Sequence, residues 1–395
     1  MKDLTNLKTY IIDTKNPKEI DDAISLENGK DGVNFIWVHI SYPAKLFKFN
    51  SELDIRAKEN CCSLYLVDEY IPMIDNETID KLNLKQDKVS ETLSTRIELD
   101  QNGDLKDYEI IEAIIKPDYE ISYDEANELL EIEPKEEYEL VKLNKLLIQS
   151  YNFRKNNGAI MFEMPYSKLT LDKNNEVKLE KAEITMAHRL VSEAMILMGY
   201  AYSKFLIENN IPAPFRSQRI NCDSQEILEK NYNSPVKYSI LKQFIGKSYI
   251  STKANFHETL GLKSYVQATS PLRRYLDLIV QRQVHLKINN LNNINEEIIS
   301  EIIDNNKLKQ IDANNIFKQD KLKYLKIFFN KKLDNNKIIF IRWINNKKNI
   351  ALVYFPDYYI ETLIILYTSI ETYPNKIYKV NYNKNESSNL LEFIY

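Results

Sequence analysis

Residues 10–24 read YIIDTKNPKEIDDAI and carry four acidic side chains within ten positions. The stretch begins in the β-rich run TYIID, continues through the polar loop TKNPKE, and enters a second short β run, AISLE. Asn16 and Pro17 keep the loop out of a helix. The acids therefore lie at a strand end and in a tight loop, where their carboxylates can converge. They are Asp13, Glu19, Asp21 and Asp22.

Carboxylates gathered in this way suit a hard divalent cation. Magnesium prefers an octahedron of oxygen ligands and usually keeps several waters, so a few carboxylates suffice when phosphate oxygens complete the shell. Two such ions can activate water and stabilise the leaving oxygen of a phosphodiester. The alternative is an ordinary solvated loop, because Asp favours turns and helix caps. An EF-hand is excluded, since no glycine stands at the sixth loop position.

The rest of the chain predicts an α+β fold. A turn at NGKDG leads into the strand NFIWVHIS, and residues 91–115 predict two strands around the turn DQNGD. Pro271 is a favoured first-turn residue and would open the last helix. Helical spacing is found over residues 52–60, 124–155, 184–209, 239–249 and 271–290.

The C-terminal part differs in composition. Residues 307–348 carry twelve Lys and Arg against three Asp. Such a run can contact phosphates, and a solvated helix face is the equal alternative. Beyond it, the short strands IIFIRW, IALVYF, TLIILY and KIYKVNY predict a small β-barrel. We therefore expect two domains, one over residues 1–335 and an all-β one over 336–395.

Composition bounds the class of protein. The chain has 395 residues, of which 44% are hydrophobic and 28% charged, as in a soluble globular protein. A net charge of −4 gives no whole-molecule basic field. Cys61, Cys62 and Cys222 show no paired spacing, so we expect no disulfide. With no N-terminal apolar run and no long apolar stretch, we expect no membrane association, and a cytoplasmic or organellar (for example plastid) location.

Four separated segments, in order, resemble the ribonuclease II and ribonuclease R family, whose catalytic unit is the RNB domain. IDTKNPKEIDDAISLE followed by WVHIS resembles its opening, which runs from IDP- through D-x-DDA to VHIAD. CSLYLVDEYIPMI at 62–74 and TSPLRRYLDL within 257–283 resemble two further blocks. RLVSEAMILMGYAYSKFL at 189–206 resembles the family's E-x-M-x-x-A-N helix. The following IPAPFRSQ resembles its L-[FY]-R and is similar to the cyanobacterial and plastid branch.

The resemblance implies a mixed sheet wrapped by helices around an RNA channel, with a C-terminal OB-like RNA-binding barrel. It implies a monomeric 3′→5′ exoribonuclease of RNA degradation and processing. Such an enzyme hydrolyses single-stranded RNA to 5′-nucleoside monophosphates with one or two Mg²⁺ ions, or with Mn²⁺. By motif position, Asp13, Glu19 and Asp22 would be metal ligands. Asp21 would be both a ligand and the catalytic aspartate.

The remaining roles concern RNA. Arg273 would hold the scissile phosphate, which suits its planar, always-charged fork. Tyr65 would stack on a base near the 3′ end, with ordinary packing as the alternative. Arg274 and His257 are further RNA-binding candidates. Their structural alternatives are an ion pair of Arg274 with Asp277 and a simple fold contact for His257.

The chain departs from the family pattern in several places. Glu19 stands where the family usually has Asp, and Gln281 replaces the usual His before Arg282. A later catalytic Glu has no assigned counterpart among Lys318, Gln319 and Asp320, and N-terminal cold-shock-type domains are missing from the sequence. Glu19 and the unassigned C-terminal acid favour an alternative, a catalytically weakened RNB protein that binds RNA or a partner, whereas retention of Asp13, Asp21, Asp22 and Arg273 favours the enzyme. A third alternative, a phosphodiesterase for a small substrate, is disfavoured by the length of the match.

Overall fold

The computed structural model describes residues 1–29, 32–161, 164–221 and 234–395. The strands are β1 Lys2–Asp3, β2 Thr9–Asp13, β3 Asp22–Asn28, β4 Asn34–Ser41, β5 Leu64–Tyr65, β6 Tyr70–Ile71, β7 Ser90–Leu99, β8 Leu105–Ile115, β9 Tyr119–Ser122, β10 Tyr166–Leu171, β11 Val177–Ala182, β12 Phe215–Ser217, β13 Tyr249–Ser251, β14 Asn336–Asn345, β15 Ile350–Phe355, β16 Ile360–Tyr367, β17 Ile377–Asn383 and β18 Leu391–Ile394. The helices are α1 Pro43–Leu46, α2 Glu52–Asn60, α3 Asn76–Leu82, α4 Tyr123–Ile132, α5 Tyr138–Asn156, α6 Met186–Glu208, α7 Ser234–Phe244, α8 Tyr275–Ile288 and α9 Glu296–Phe329, with short 3₁₀ turns at Lys135–Glu137, Glu258–Leu260 and Asn346–Lys348.

A mixed seven-stranded sheet lies at the centre, in the order β1-β8-β7-β4-β3-β2-β9. Its neighbours are antiparallel except for the parallel pairs β1–β8 and β2–β9. The largest apolar core lies between this sheet and helices α4, α5, α6 and α8. The expected α+β class, with a mixed sheet and helices, is therefore confirmed.

Helix α6 confirms the helix predicted over residues 184–209. Thr185 caps its first turn, where the Thr185 hydroxyl accepts from the backbone N–H of His188. Among the described residues, only this helix is long and apolar enough to cross a membrane by length and composition. Because 61% of its most apolar stretch is buried inside the protein, it packs as a core helix.

Two predicted helix bounds are wrong. Helix α8 begins at Tyr275 rather than at Pro271, because Arg274 is extended and pairs with Cys62 in a β-bridge. The segment before it therefore forms a turn. The helix predicted over 239–249 is α7, which ends at Phe244 where Ile245 pairs with Ile220. The run predicted over 124–155 is two helices, α4 and α5, separated at Pro134.

Some predicted features fall outside the described residues. The turn NGKDG includes residues 30 and 31, and Cys222 lies within 222–233. Cys61 and Cys62 are both free thiols.

Strands β14 to β18 form a closed barrel in the order β14-β15-β16-β18-β17, which confirms the predicted C-terminal barrel. Its core is aromatic and includes the last residue of helix α9. The Phe329 ring is fully buried and lies 5.1 Å from Phe355 and 5.2 Å from Phe393, measured between ring centroids. Since the barrel core also takes Leu325 from the same helix, the domain boundary at residue 335 stays a prediction.

Several lysines of the basic run bind other parts of the protein. The Lys309 ammonium donates to the carbonyls of Lys58 and Glu59. The Lys326 ammonium donates to three barrel carbonyls, those of residues 385, 386 and 388. Lys309 and Lys326 therefore hold other segments of the protein, which is neither of the two roles expected for the run.

Candidate active site

The acidic residues lie at the point where strands β2 and β3 separate. These strands pair only through Thr9 and Tyr10, and β2 then continues beside β9 as far as Asp13. Asp13 ends β2 and Asp22 begins β3, with the loop that carries Glu19 and Asp21 between them. The split places Asp13 and Asp22 at the same end of two neighbouring strands, with Glu19 and Asp21 on the loop between them.

Asp21 is held by one of its two carboxylate oxygens. Its Oδ1 accepts a hydrogen bond from the Ser41 hydroxyl at 3.0 Å and another from the Leu272 N–H at 3.0 Å. Its Oδ2 is buried and has no hydrogen-bond partner within the described ranges. The Nε of Arg273 lies 3.8 Å from Oδ2. Burial raises the pKa of Asp21 to about 7, although Arg273 acts in the opposite direction.

Gln281 holds the strand end that carries Ser41. Its amide Nε2 donates to the Ser41 carbonyl at 2.7 Å, and its Oε1 accepts from the Ala44 N–H at 3.1 Å. The Ser41 N–H also donates to the Asp21 carbonyl at 2.7 Å. The residue that departs from the family's usual His therefore supports Asp21 through Ser41.

Asp13 and Asp22 lie close enough to interact electrostatically. Burial raises the pKa of both, and for Asp22 repulsion by Asp13 adds to the effect, giving a pKa of about 7. Burial is the larger effect, since Arg273 acts on both carboxyls in the opposite direction without cancelling it.

Glu19 is buried and its carboxylate is already bound by hydroxyl groups. The Ser63 hydroxyl donates to Oε1 at 2.6 Å, and the Tyr65 hydroxyl donates to Oε2. The Tyr65 side chain is 43% exposed, and its ring centroid lies 5.3 Å from that of Tyr70. In this arrangement Glu19 fixes the Tyr65 hydroxyl while leaving the ring accessible.

The donor types fit a divalent cation, whereas their present arrangement is not a ready coordination shell. Oxygen donors suit Mg²⁺, and the unpartnered Oδ2 of Asp21 offers one such atom. However, in the part of the chain that is described, no three His, Cys, Asp or Glu side chains come together to hold an ion as they stand. The carboxylate of Glu19 would have to leave Ser63 or Tyr65 to join. The metal-ligand roles therefore stay predictions.

Three other residues considered in the sequence, Arg274, His257 and Asp320, have hydrogen-bond partners of their own. Arg274 donates through Nε and Nη2 to Oδ2 of Asp277, at 2.9 and 2.6 Å, which favours its structural alternative. His257 is buried and bonds the Thr259 hydroxyl at 3.1 Å, and burial lowers its pKa to about 4. Asp320 accepts from the Val67 N–H at 3.0 Å, on the hairpin that follows Tyr65.

Sequence reasoning missed the residues that hold the carboxylates. Asn83 accepts from the Ile20 N–H at 2.9 Å and donates to the Lys18 carbonyl at 3.2 Å, which fixes the loop. Ser63 and Ser41 were also missed. A signal existed for Ser41, since WVHIS ends in Ser where the family's VHIAD has Ala.

Comparison with known proteins places these features in a family. The RNB domain model matches residues 1–290. An uncharacterised ribonuclease of Synechocystis is 35% identical over 284 residues, which are 71% of this chain and 43% of that protein. The chloroplastic/mitochondrial ribonuclease II of Arabidopsis thaliana is 30% identical over 289 residues, 71% of this chain and 36% of that protein. The chain thus spans less than half the length of these relatives, and they confirm the predicted likeness to the cyanobacterial and plastid branch.

Solved structures agree in fold. Ribonuclease R of Mycoplasma genitalium, in complex with ribose-methylated single-stranded RNA, matches with a TM-score of 0.85 at 17% identity. That match covers 100% of this chain and 71% of the other. Yeast Ssd1, a pseudonuclease, matches with a TM-score of 0.72 at 15% identity over 92% of this chain and 50% of its own. With an RNB model matched over residues 1–290, the chain belongs to the RNB domain family.

Proposed function

We propose that the chain is a divalent-metal-dependent 3′→5′ exoribonuclease that hydrolyses single-stranded RNA to 5′-nucleoside monophosphates. One observation carries the proposal. Asp21 is anchored through Oδ1 while its buried Oδ2 stays unpartnered, 3.8 Å from the Arg273 guanidinium. Family membership and the ribonuclease names of the relatives support the reaction class. The RNA-bound ribonuclease R supports single-stranded RNA as the substrate class.

Each side chain has a task that follows from its position. When bound, a divalent cation supplies Lewis acidity at the scissile phosphate. Asp21, fixed by two donors, presents Oδ2 to orient the attacking water. Arg273 offers its planar fork to a phosphate oxygen beside that water. The exposed ring of Tyr65 stacks on a base, a contact that tolerates any base.

A second candidate is an RNB protein that binds RNA without cutting it. The state of Glu19 favours it, because Ser63 and Tyr65 occupy both carboxylate oxygens of this residue. The fold is also compatible with that outcome, since it matches a pseudonuclease.

A degradation assay separates the two candidates. The protein is incubated with a uniformly labelled single-stranded RNA, with Mg²⁺ or with EDTA, beside an Asp21→Asn variant. We expect mononucleotide release only from the unaltered protein with Mg²⁺. Asp21→Asn should still bind RNA, because its remaining Oδ1 can accept from Ser41 and Leu272. Binding without release by the unaltered protein would establish the second candidate, and metal-independent release would reject the mechanism.

Arg273→Ala tests the role of the guanidinium. We expect turnover to fall more than RNA affinity, since the Arg273 Nε lies 3.8 Å from the carboxylate of the proposed catalytic Asp21. Equal losses of turnover and affinity would show that Arg273 supplies only general electrostatic attraction.

A further inference from the structure

Arg216 is a partly buried guanidinium whose Nε has no hydrogen-bond partner among the described residues. It lies in the short strand β12, and its backbone N–H donates to the Tyr265 carbonyl at 2.9 Å. Its Nε is buried and unbonded, and within the described residues the side chain forms neither an ion pair nor a hydrogen bond. Arg stays charged in proteins, so this N–H group represents an unsatisfied buried donor. Such a group in a native fold requires an explanation, for which an absent ion is a standard one.

The neighbours of Arg216 cannot neutralise it. The nearest carboxylate is Asp277, whose Oδ2 already accepts from Nε and Nη2 of Arg274 and from the Ser270 N–H. Arg274 carries a like charge and interacts unfavourably with Arg216. His257, the other nearby titratable group, is kept neutral by burial, because its pKa is lowered to about 4.

The charges of this cluster therefore do not balance. The guanidinium groups of Arg216 and Arg274 both interact with Asp277, and Arg274 also interacts with Asp22, but the bonded acceptor atom of Asp277 is taken by Arg274 and Ser270. A third arginine, Arg154, is occupied by Glu193, with Nε to Oε1 at 2.9 Å and Nη2 to Oε2 at 2.5 Å. Arg216 is therefore left without a bonded acceptor among the described residues, in a place where water cannot fully solvate it, which favours an anion.

The cluster is also within reach of the carboxylate site. Arg273 and Arg274 are consecutive, and their side chains diverge, the first towards Asp21 and the second towards Asp277. The Arg274 side chain is 28% exposed, so a ligand can approach the cluster from solvent. We therefore expect a strand whose scissile phosphate lies at Arg273 to place a neighbouring phosphate near Arg274 and Arg216.

We propose that Arg216, next to the Arg274 guanidinium that Asp277 already holds, is the main ligand of a second phosphate subsite, which binds a backbone phosphodiester of single-stranded RNA next to the one held by Arg273. The proposal rests on the proposed function for its ligand. Arginine suits the role because its planar fork can bind two phosphate oxygens at once. The subsite binds the charged RNA backbone and therefore does not distinguish between bases.

RNA binding tests the subsite without any need for turnover. Fluorescence anisotropy would follow a 5′-labelled single strand binding to the full chain carrying Asp21→Asn, at KCl from about 50 to 200 mM. We expect Arg216→Gln to weaken binding by on the order of tenfold. We also expect the slope of log affinity against log salt to fall by about 0.7, the value for one phosphate contact on a single strand. Arg219→Gln is the matched control, since Arg219 is exposed and lies three positions further along the chain.

A conservative variant guards against misfolding. Arg216→Lys keeps the charge and lacks the fork, so it should retain the salt slope and recover only part of the affinity. Thermal melting followed by circular dichroism would show whether each variant is folded. If Arg216→Gln does not fold, the loss of affinity in folded Arg216→Lys decides the proposal, and unchanged affinity in that variant overturns it.

The outcomes separate this proposal from the nuclease proposal. Metal-dependent RNA cleavage by the unaltered chain, with affinity and slope unaffected by Arg216→Gln, overturns the subsite and leaves the nuclease standing. RNA affinity that depends on Arg216, in a chain that does not cleave RNA, supports the subsite and overturns the nuclease proposal. A third arm compares melting temperatures in inorganic phosphate and in chloride at equal ionic strength. Stabilisation by phosphate that requires Arg216, without an effect on RNA affinity, would assign the cluster to free phosphate and overturn its assignment to RNA.

Discussion

Replacing Ser41 by Ala should impair hydrolysis without a comparable loss of RNA affinity. The change removes one of the two hydrogen bonds that orient Asp21 and leaves the Leu272 N–H as the remaining donor to Oδ1. A hydrogen bond to a charged group contributes about 1.5–3 kcal/mol. If that energy is expressed in the transition state, kcat falls by roughly 10- to 150-fold. KM for RNA should change by less than about twofold, because Ser41 is buried and cannot touch the substrate.

Single-turnover and steady-state assays on the same labelled RNA would measure both constants. Ser25→Ala is the matched control, because Ser25 is equally buried on the adjacent strand and its hydroxyl bonds the Nε2 of His39 at 2.6 Å. We expect that control to lose stability and keep kcat. A kcat that stays within about twofold for Ser41→Ala, or an equal fall for Ser25→Ala, would refute the reasoning.

Three further predictions concern stability, measured by urea unfolding. Glu193→Gln should lower the free energy of unfolding by about 3–5 kcal/mol, because it leaves the buried Arg154 guanidinium without its counter-charge; a loss below about 1 kcal/mol would contradict this. Burial lowers the pKa of His39 to about 3 in the folded protein. Below about pH 6.5, His39 therefore takes up a proton in the unfolded chain but stays neutral in the folded one. His39 should therefore contribute full stability above pH 6.5 and lose about 2 kcal/mol by pH 5, and His39→Gln should show a flatter profile over that range. Phe329→Ala should cost about 3–5 kcal/mol through the cavity left among the barrel aromatics, and an unchanged unfolding midpoint would show that the barrel does not depend on this ring.

Local patterns were sufficient to predict the strand–loop–strand arrangement of the acidic stretch. β-Branched runs on either side of a loop with Asn and Pro leave few alternatives, and the structure has β2 and β3 where those runs lie. Helix α6 was also predictable, because its apolar residues recur at helical spacing over six turns.

Partners that are distant in sequence were not predictable. The turn at Pro271 is stable because the Leu272 N–H binds Asp21, a residue 251 positions away, and this contact overrides the helix signal of the proline. The Glu19 carboxylate is held by Ser63 and Tyr65, which are 44 and 46 positions away. A single sequence shows which residue types are present, but it does not show which hydroxyl will reach which carboxylate.

The burial of Phe329 in the barrel limits where the chain can be cut into separate fragments. Helix α9 has 34 residues, which at 1.5 Å per residue makes a rod of about 51 Å. Ile299, near the start of this rod, is buried in the main core, and Phe329 at its end is buried in the barrel. A chain cut after residue 335 would expose the side chains of Leu325 and Phe329 to solvent, as one apolar surface at the end of the helix. Such a fragment should self-associate, so its oligomeric state and solubility would reflect the cut rather than the intact protein.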